Sequence, residues 1–249
     1  MKVVVVGGTG LIGSKVVAQL SEQGHEVVVA APQTGVNTLT GEGVPQALAG
    51  AQVLVDVSNS PSFDEPAVRD FFTTSTTNLV AAARAAGVRH YVALSVVGTQ
   101  RLTDSPYLRA KAVQEELIKQ SGIAYSIVHA TQFFEFVHGI TDAATVNNVV
   151  HLPHALIQPI AADDVATAVS RTAVGEPVNG TVEIAGPEQF GLDELAAKGL
   201  RYRNEQREVV ADPDALYYGA HLQPRSLIPD ESATIFDTRF EDWAGRSAA

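Results

Sequence analysis

The chain has 249 residues, no cysteine and a formal net charge of −11 at pH 7. The lack of cysteine excludes thiol catalysis, disulfides and thiolate metal sites. The negative charge argues against a nucleic-acid-binding face, which needs clustered lysine and arginine. The first predicted strand already begins at Val3, and no apolar run reaches membrane-spanning length. We therefore expect a cytoplasmic protein without a signal peptide or a membrane segment.

The first thirteen residues combine a strand, a glycine turn and a helix start. Four consecutive valines at residues 3–6 predict a strand that is buried on both faces. Gly7, Gly10 and Gly13 follow, and residues 14–20 take up helical periodicity. Such glycines allow a tight turn, a close approach of backbone to a pyrophosphate, and close packing of helix on strand. The helix N-terminus adds unpaired N–H groups and partial positive charge, so the pattern predicts a dinucleotide site.

The second predicted strand spans residues 25–30, and the segment at its end, residues 30–35, carries no charge. Dinucleotide folds normally place an Asp or Glu there for NAD, or an Arg for the phosphate of NADP. No lysine or arginine occurs between Lys15 and Arg69. Gln33, Thr34 and Asn37 are the predicted hydrogen-bond donors to a cofactor phosphate, and they are weaker than an arginine would be. The choice between NAD and NADP stays open at this point.

The third predicted strand, residues 52–56, ends in a short polar segment that begins with Asp56, Val57 and Ser58. Ligands of open α/β sheets bind outside the carboxyl ends of strands, so this segment is predicted to contact the adenosine or the phosphates. An Asx-type turn closed by Pro61 is an equally good interpretation.

The fourth predicted strand, residues 89–95, ends at Ser95, and a helix follows it. Ser105 suits the N-cap of that helix and Pro106 its first position. Tyr107 and Lys111 then lie four residues apart on one helix face.

These three residue types form a set for carbonyl chemistry. A phenol with a reference pKa of about 10 is a poor acid or base unless a nearby ammonium or helix N-terminus favours its ionised form. We predict that Lys111 lowers the pKa of Tyr107 and holds a ribose hydroxyl. We also predict that Ser95 donates a hydrogen bond to a substrate carbonyl.

The chain resembles the short-chain dehydrogenase/reductase superfamily, and more narrowly its NmrA-like atypical branch. The motifs that carry this resemblance are Gly7-Gly-Thr-Gly-Leu-Ile-Gly13, Tyr91-Val-Ala-Leu-Ser-Val-Val-Gly98, Tyr107-Leu-Arg-Ala-Lys111, Thr131-Gln-Phe-Phe-Glu-Phe136, Ile160-Ala-Ala-Asp-Asp-Val-Ala166 and Arg239-Phe-Glu-Asp-Trp243. The resemblance implies an α/β fold with a Rossmann-type doubly wound parallel sheet and a small C-terminal substrate lobe. We expect a single domain, with its core at about residues 1–130 and the lobe at about 131–249.

The resemblance also implies the residues of the site. The catalytic set is Ser95, Tyr107 and Lys111. The expected cofactor-binding residues are these three together with Gly7, Thr9, Gly10, Leu11, Ile12, Gly13, Gln33, Thr34, Asp56, Val57, Ser58, Ala130, Thr131 and Gln132. Phe133 and Phe134 are expected to wall the substrate pocket, although aromatic residues near a helix start are also typical of core packing.

Two histidine features argue against further chemistry. His129 stands where relatives often carry an arginine, and as a lone histidine it is interpreted as structural. The pair His151 and His154 is broken by Pro153 and has no third ligand nearby, so no metal site is expected.

The resulting hypothesis is an NAD(P)H-dependent reductase of a ketone, enone or quinone, with NADP(H) the favoured cofactor and NAD(H) not excluded. The first alternative is a dinucleotide-binding redox sensor without turnover, because some NmrA-like members are non-catalytic. A nucleotide-sugar epimerase or dehydratase is the second. The expected partner is a small carbonyl or quinone substrate, and homodimers are common in this superfamily. The polar, proline-interrupted residues 203–249 do not name the substrate.

Overall fold

A computed structural model describes residues 1–247 of the chain. In that part the strands are β1 (Lys2–Val6), β2 (Glu26–Ala30), β3 (Val53–Asp56), β4 (His90–Val96), β5 (Tyr125–Ala130), β6 (Thr145–Val146), β7 (Val149–Leu152), β8 (Leu156–Ile157), β9 (Gly180–Ala185), β10 (Phe190–Gly191), β11 (Glu208–Ala211) and β12 (Thr234–Ile235). The helices are α1 (Leu11–Glu22), α2 (Val44–Leu48), α3 (Ala67–Ala86), α4 (Pro106–Lys119), α5 (Val137–Ala143), α6 (Ala162–Val174), α7 (Leu192–Tyr202) and α8 (Phe240–Ser247).

Seven strands in the described residues form one sheet in the order β12-β9-β5-β4-β3-β1-β2. All the neighbouring pairs of this sheet are parallel. The sequence-based prediction of an α/β, Rossmann-type doubly wound sheet is therefore confirmed. Because parallel strands all point the same way, the carboxyl ends of β1 to β5 meet at one edge, which is where such sheets bind ligands.

The valines of β1 show why this strand lies inside the sheet. Alternate side chains of a strand point to opposite faces. Val3 and Val5 pack in a core with residues of α1 and α6, whereas Val4 and Val6 pack with residues of α2, α3 and α4. Each face of the strand is buried under helices, as a continuous β-branched run requires.

The residues after β5 divide between the main sheet and smaller units. The strands β9 and β12 extend the main sheet, and α6 covers it. The strands β6, β7 and β11 form a second sheet, and β8 pairs with β10. A separate apolar core, which includes Phe134, Leu195 and Phe240, joins these units to α5, α7 and α8. Within residues 1–247, no helix is long and apolar enough to cross a bilayer.

The glycine loop depends on close backbone contact at Gly13. A Cβ atom at Gly13 would lie 2.1 Å from the carbonyl oxygen of Gly7 and 2.7 Å from the Cα of Gly8. The absent side chain therefore lets α1 pack directly on the turn that follows β1.

We expect Gly13→Ala to lower the free energy of unfolding by ~2 kcal/mol or more, because the loop must move to admit the methyl group. Chemical denaturation measures this change. Gly245→Ala is the matched control, because a Cβ there meets nothing within 4 Å and alanine is the better helix former by up to about 1 kcal/mol. Equal stability of the Gly13 variant and the wild type would contradict the close approach.

Candidate active site

A cavity of about 860 Å³ opens at the carboxyl edge of the main sheet. This is within the range of ligand pockets, which is roughly 300–1,000 Å³. The structure brings most of the sequence-predicted site residues into its wall. These are Gly7, Thr9, Gly10, Leu11, Ile12, Gln33, Val57, Ser58, Ser95, Tyr107, Lys111, Ala130, Thr131, Gln132 and Phe133. Gly13, Thr34, Asp56 and Phe134 are outside it.

The start of α1 is shaped for an anion. Its N-cap is Gly10, which supplies no side-chain hydrogen bond, so the first N–H groups of the helix remain open to a ligand. Gly7 has a φ of +77°, and a Cβ there would lie 2.9 Å from the backbone of Ser58. The loops after β1 and β3 thus approach each other so closely that only backbone fits between them.

The wall after β2 is neutral, as the sequence indicated. Gln33 lines the cavity, and its Oε1 accepts a hydrogen bond of 3.5 Å from Thr9 Oγ1. Thr34 does not line it, because its hydroxyl is bonded to Ala31 and to the carbonyl of Val29 and closes the turn. Of the described residues in the wall, Lys111 alone carries a charged side chain.

Asp56 has a structural role instead of the predicted contact with a cofactor. It is buried, and its Oδ1 accepts hydrogen bonds from the backbone and hydroxyl of Ser58. Its Oδ2 accepts from the Tyr91 hydroxyl at 3.1 Å and from Gln114 Nε2 at 3.0 Å. Both carboxylate oxygens are therefore satisfied by protein donors beneath the cavity.

Lys111 is buried at the floor of the cavity. Its Nζ donates to the carbonyl of Leu94 at 2.8 Å and to Gln114 Oε1, and it lies 4.6 Å from the centre of the Phe72 ring. Burial lowers the pKa of Lys111 to about 8, against the opposing effect of Asp56 and Glu115. An ammonium has three N–H donors, so two hydrogen bonds within residues 1–247 leave one for a ligand.

Tyr107 is half-buried among aromatic rings. Its ring meets Phe63 edge-on at 5.0 Å and Phe72 at 6.0 Å, and its hydroxyl has no hydrogen-bond partner within residues 1–247. Burial raises the pKa of Tyr107, and the neighbouring phenol of Tyr218 adds to this effect. The prediction that Lys111 lowers this pKa is wrong, because the apolar surroundings disfavour the phenolate and Lys111 is engaged with Leu94 and Gln114.

Ser95 donates its hydroxyl hydrogen to a buried carboxylate. The acceptor is Glu115 Oε1, at 2.6 Å, and the same oxygen lies 2.8 Å from His129 Nε2. His129 Nδ1 lies 3.7 Å from Glu183 Oε1, and Lys119 Nζ is 3.6 Å from Glu115 Oε2. Glu115 is only 1% exposed, so this cluster lies inside the protein.

The protonation states within this cluster follow from its contacts. Burial raises the pKa of Glu115, but the hydrogen bonds from His129 and Ser95 outweigh it and hold this pKa below its usual value. Burial lowers the pKa of His129, but Glu115 and Glu183 outweigh it and hold that pKa above its usual value. His129 is thus a satisfied structural residue, as the sequence indicated.

The predicted role of Ser95 as a donor to a substrate carbonyl needs correction. An ionised carboxylate only accepts hydrogen bonds, so the single hydrogen of the Ser95 hydroxyl belongs to Glu115. Ser95 lines the cavity, but it offers a ligand acceptor lone pairs only.

The aromatic wall differs from the predicted one. Phe133 lines the cavity and stacks on Phe136 at 5.0 Å. Phe134 is instead buried in the separate apolar core that includes Leu195 and Phe240, called the C-terminal core below. Its ring lies 5.3 Å from Phe240 and 5.5 Å from Trp243. It packs there because it follows Phe133 directly and points to the opposite side of the chain.

Several wall residues were missed by sequence analysis. They are Thr38, Leu39, Phe63, Phe71, Ser105, Leu108, Ile140, Tyr217 and Tyr218, whereas Asn37 is already a predicted donor to the cofactor. Most come from loops without periodicity, so no sequence pattern marked them. Gly219 after the tyrosine pair was the one available sign of a turn.

Within residues 1–247, three buried polar atoms of the wall have no hydrogen-bond partner: Ser105 Oγ, Thr131 Oγ1 and Gln132 Oε1. Leaving such an atom unsatisfied costs about 1–3 kcal/mol, so a polar ligand would remove a cost. Thr131 and Gln132 follow β5 at the sheet edge, and with the glycine loop they fit the two ends of a dinucleotide.

The other histidine pair makes separate contacts. His151 Nδ1 lies 3.2 Å from Asp212, and His154 Nδ1 lies 2.8 Å from Asp193. No group of three or more His, Cys, Asp or Glu side chains suited to a metal occurs in the part of the chain that the structure describes.

The buried ion pair of His129 and Glu115 gives a pH-dependent prediction. Folding raises the pKa of His129. The contribution of this histidine to the free energy of unfolding is therefore complete below about pH 6.5 and is lost as pH rises through its folded-state pKa. Folding lowers the pKa of Glu115. The contribution of this carboxylate to the free energy of unfolding is therefore complete above about pH 4.3 and is lost as pH falls through its folded-state pKa. We expect His129→Gln to lower the free energy of unfolding by ~3 kcal/mol near pH 5.5, and by less near pH 9.

Urea denaturation across this pH range measures the difference. His151→Gln is the control, because it breaks the partly exposed pair with Asp212 and costs under about 1 kcal/mol. A loss for His129→Gln that stayed constant from pH 5.5 to pH 9 would refute the charged pair.

Known proteins place the chain in a family. Residues 7–174 match the family described as NAD(P)H-binding. The photosystem II assembly factor Ycf39 of Cyanophora paradoxa is 27% identical over 153 residues, which cover 56% of this chain and 48% of that protein. The chain thus spans about half the length of the curated Ycf39 relatives that it matches first.

Two further similarities concern reductases. The (4-alkanoyl-5-oxo-2,5-dihydrofuran-3-yl)methyl phosphate reductase of Streptomyces griseus is 26% identical over 215 residues, covering 79% of this chain and 72% of that protein. The NADPH-dependent quinone oxidoreductase QOR2 of Escherichia coli has a TM-score of 0.69 and 17% identity, covering 98% of this chain and 99% of that one. At this identity the structural likeness shows the fold alone.

The glycine loop, the parallel sheet and the match over residues 7–174 lead to one assignment. The chain belongs to the NAD(P)H-binding family.

Proposed function

We propose that this protein is an NAD(P)H-dependent reductase of an uncharged ketone, enone or quinone, with Tyr107 as the proton donor. The observation that carries the proposal is the composition of one cavity. Its wall joins the glycine loop, Lys111 and Tyr107 to a cluster of aromatic side chains.

The cofactor would lie along the carboxyl edge of the sheet. The backbone at Gly7, Gly10 and the start of α1 would hold the pyrophosphate, and the free N–H of Lys111 would hold a ribose hydroxyl. Thr131 and Gln132, whose buried oxygens lack partners, would bind the nicotinamide end. A bound reduced nicotinamide supplies the hydride.

Tyr107 supplies the proton in this proposal. As the carbonyl carbon accepts the hydride, the carbonyl oxygen takes the Tyr107 hydroxyl proton and becomes an alcohol, and the phenolate then regains a proton from water. Burial raises the pKa of Tyr107, so the phenol keeps its proton at ordinary assay pH. This favours reduction, because alcohol oxidation would need the phenolate.

The cavity favours an uncharged substrate. Phe63, Phe133, Phe136 and Tyr218 contribute aromatic surface, and Lys111 at the floor is the charged residue among the described wall residues. A nucleotide sugar carries a diphosphate, and the relative from Streptomyces is named for a phosphate ester. Both would need further cations, which bind phosphate best. The epimerase or dehydratase alternative is therefore disfavoured.

NADPH is proposed as the favoured cofactor from the NmrA-like resemblance alone. The neutral wall at Gln33 provides neither a carboxylate for the ribose of NAD nor a guanidinium for the phosphate of NADP. We therefore expect only modest discrimination between the two cofactors.

A non-catalytic role is the second candidate, and a specific observation favours it. The matched relatives include photosystem II assembly factors. In such a role the cavity would bind a dinucleotide as a signal, and a partner protein would read the bound state. Tight cofactor binding without turnover of any carbonyl would support it.

The test is loss of nicotinamide absorbance with 9,10-phenanthrenequinone, menadione and aromatic ketones, using NADPH and NADH in parallel. We expect Tyr107→Phe to lower kcat at least about 100-fold, the lower range for general acid catalysis, with cofactor affinity retained. Tyr202→Phe is the matched control, because Tyr202 packs on Phe240 at the end of α7. Undiminished turnover in Tyr107→Phe would refute the role of this tyrosine.

A further inference from the structure

We infer that the hydroxyl of Tyr218 is the second hydrogen-bond donor to the substrate oxygen, beside that of Tyr107. This inference rests on the proposed reductase and adds a catalytic residue from the C-terminal segment.

A second donor is needed because of what happens at the carbonyl oxygen. Negative charge develops on this oxygen during hydride addition, and preorganised donors stabilise it. The hydroxyl of Ser95 is committed to Glu115, so Ser95 offers only acceptor lone pairs. Lys111 donates two of its N–H groups to Leu94 and Gln114, and the proposed function assigns the third to a ribose hydroxyl.

The backbone at Tyr218 is held in an uncommon conformation. Tyr217 and Ala220 exchange backbone hydrogen bonds of 2.9 and 3.0 Å, which closes a two-residue turn. Tyr218 has a φ of +45° and Gly219 a φ of +84°. Glycine, asparagine and aspartate are the usual residues in such turns, and a bulky side chain there is an outlier. Strained residues of this kind cluster at functional sites, where the surrounding structure holds them.

The contacts around the turn explain how it is held. Tyr217 is 8% exposed, belongs to the C-terminal core, and meets the Tyr218 ring edge-on at 4.8 Å. At Gly219, a Cβ would lie 3.6 Å from Cδ of Pro106. The turn therefore packs on the first residue of α4, next to Tyr107.

The side chain of Tyr218 lies in the same aromatic group as Tyr107. Its ring centre is 6.1 Å from Phe63, which itself lies 5.0 Å from Tyr107. Both tyrosines line the cavity, and neither hydroxyl has a hydrogen-bond partner among residues 1–247. The phenol of Tyr218 is near enough to raise the pKa of Tyr107. Two unpaired phenols thus stand at one side of the cavity.

The substrate class follows from this pair. Two phenol donors suit a flat carbonyl compound without charge, such as a quinone or an aryl ketone, because the rings around the donors are apolar and the hydroxyls satisfy both lone pairs of one oxygen. In the reaction only Tyr107 gives up its proton, whereas Tyr218 keeps its own and stabilises the developing charge.

The experiment compares Tyr218→Phe, Ser95→Ala, Tyr107→Phe and Tyr202→Phe with the wild type, using 9,10-phenanthrenequinone and NADPH. Phenylalanine keeps the ring contacts with Phe63 and Tyr217 and removes only the hydroxyl. We expect kcat of Tyr218→Phe to fall about 100-fold, as for loss of one oxyanion donor, with an unchanged Kd for NADPH by fluorescence. Ser95→Ala should lose less than Tyr218→Phe, and Tyr202→Phe should match the wild type.

The outcomes separate this inference from the proposed function. If kcat collapses in Tyr107→Phe but stays within threefold of the wild type in Tyr218→Phe, the second-donor role is refuted and the proposed reductase function stands. If Ser95→Ala loses more than Tyr218→Phe, Ser95 is the second donor and the inference is also refuted. If the wild type binds NADPH and reduces no quinone or ketone, the reductase fails, and the donor role fails with it.

Discussion

Helix α4 is fixed to three strands of the main sheet by buried polar side chains, and the site depends on this attachment. Lys111 donates to the Leu94 carbonyl on β4, and Gln114 donates to Asp56 on β3. Glu115 accepts from Ser95 on β4 and from His129 on β5. Gln114 and Glu115 lie three and four positions after Lys111, on the helix face that meets the sheet. A charged group buried there is costly unless it is paired, so these contacts favour the observed position of α4 on the sheet.

This attachment also fixes the position of Tyr107, one turn earlier on the helix. Tyr107 lies four residues before Lys111, and it is held among Phe63 and Phe72. The same burial that fixes its ring raises its pKa and keeps the hydroxyl protonated. The attachment also places Glu115 where it accepts the hydrogen bond that the Ser95 hydroxyl donates. The site thus holds a protonated phenol at Tyr107, whereas Ser95 offers the cavity acceptor lone pairs.

The relatives of this chain carry names of two kinds. The proteins similar to this chain include some named as photosystem II assembly factors and one named as a reductase. In this chain the glycine loop and the strand ends form one part of the cavity wall, and Tyr217 and Tyr218 add to it from the C-terminal segment.

The sequence alone determined the fold and half of the site. The valine run, the glycines and the helix that follows are local patterns, and each reports on neighbours within a few residues. They were enough to predict the Rossmann-type sheet and the placement of Ser95, Tyr107 and Lys111 at one edge. The tertiary structure decided what those side chains do. Glu115 and His129 are fourteen residues apart and meet Ser95 only because α4 packs on β4 and β5. Tyr218 reaches the cavity from the other end of the chain, through a turn that packs on Pro106. The pKa and the direction of a hydrogen bond are set by such long-range neighbours, which no local pattern records.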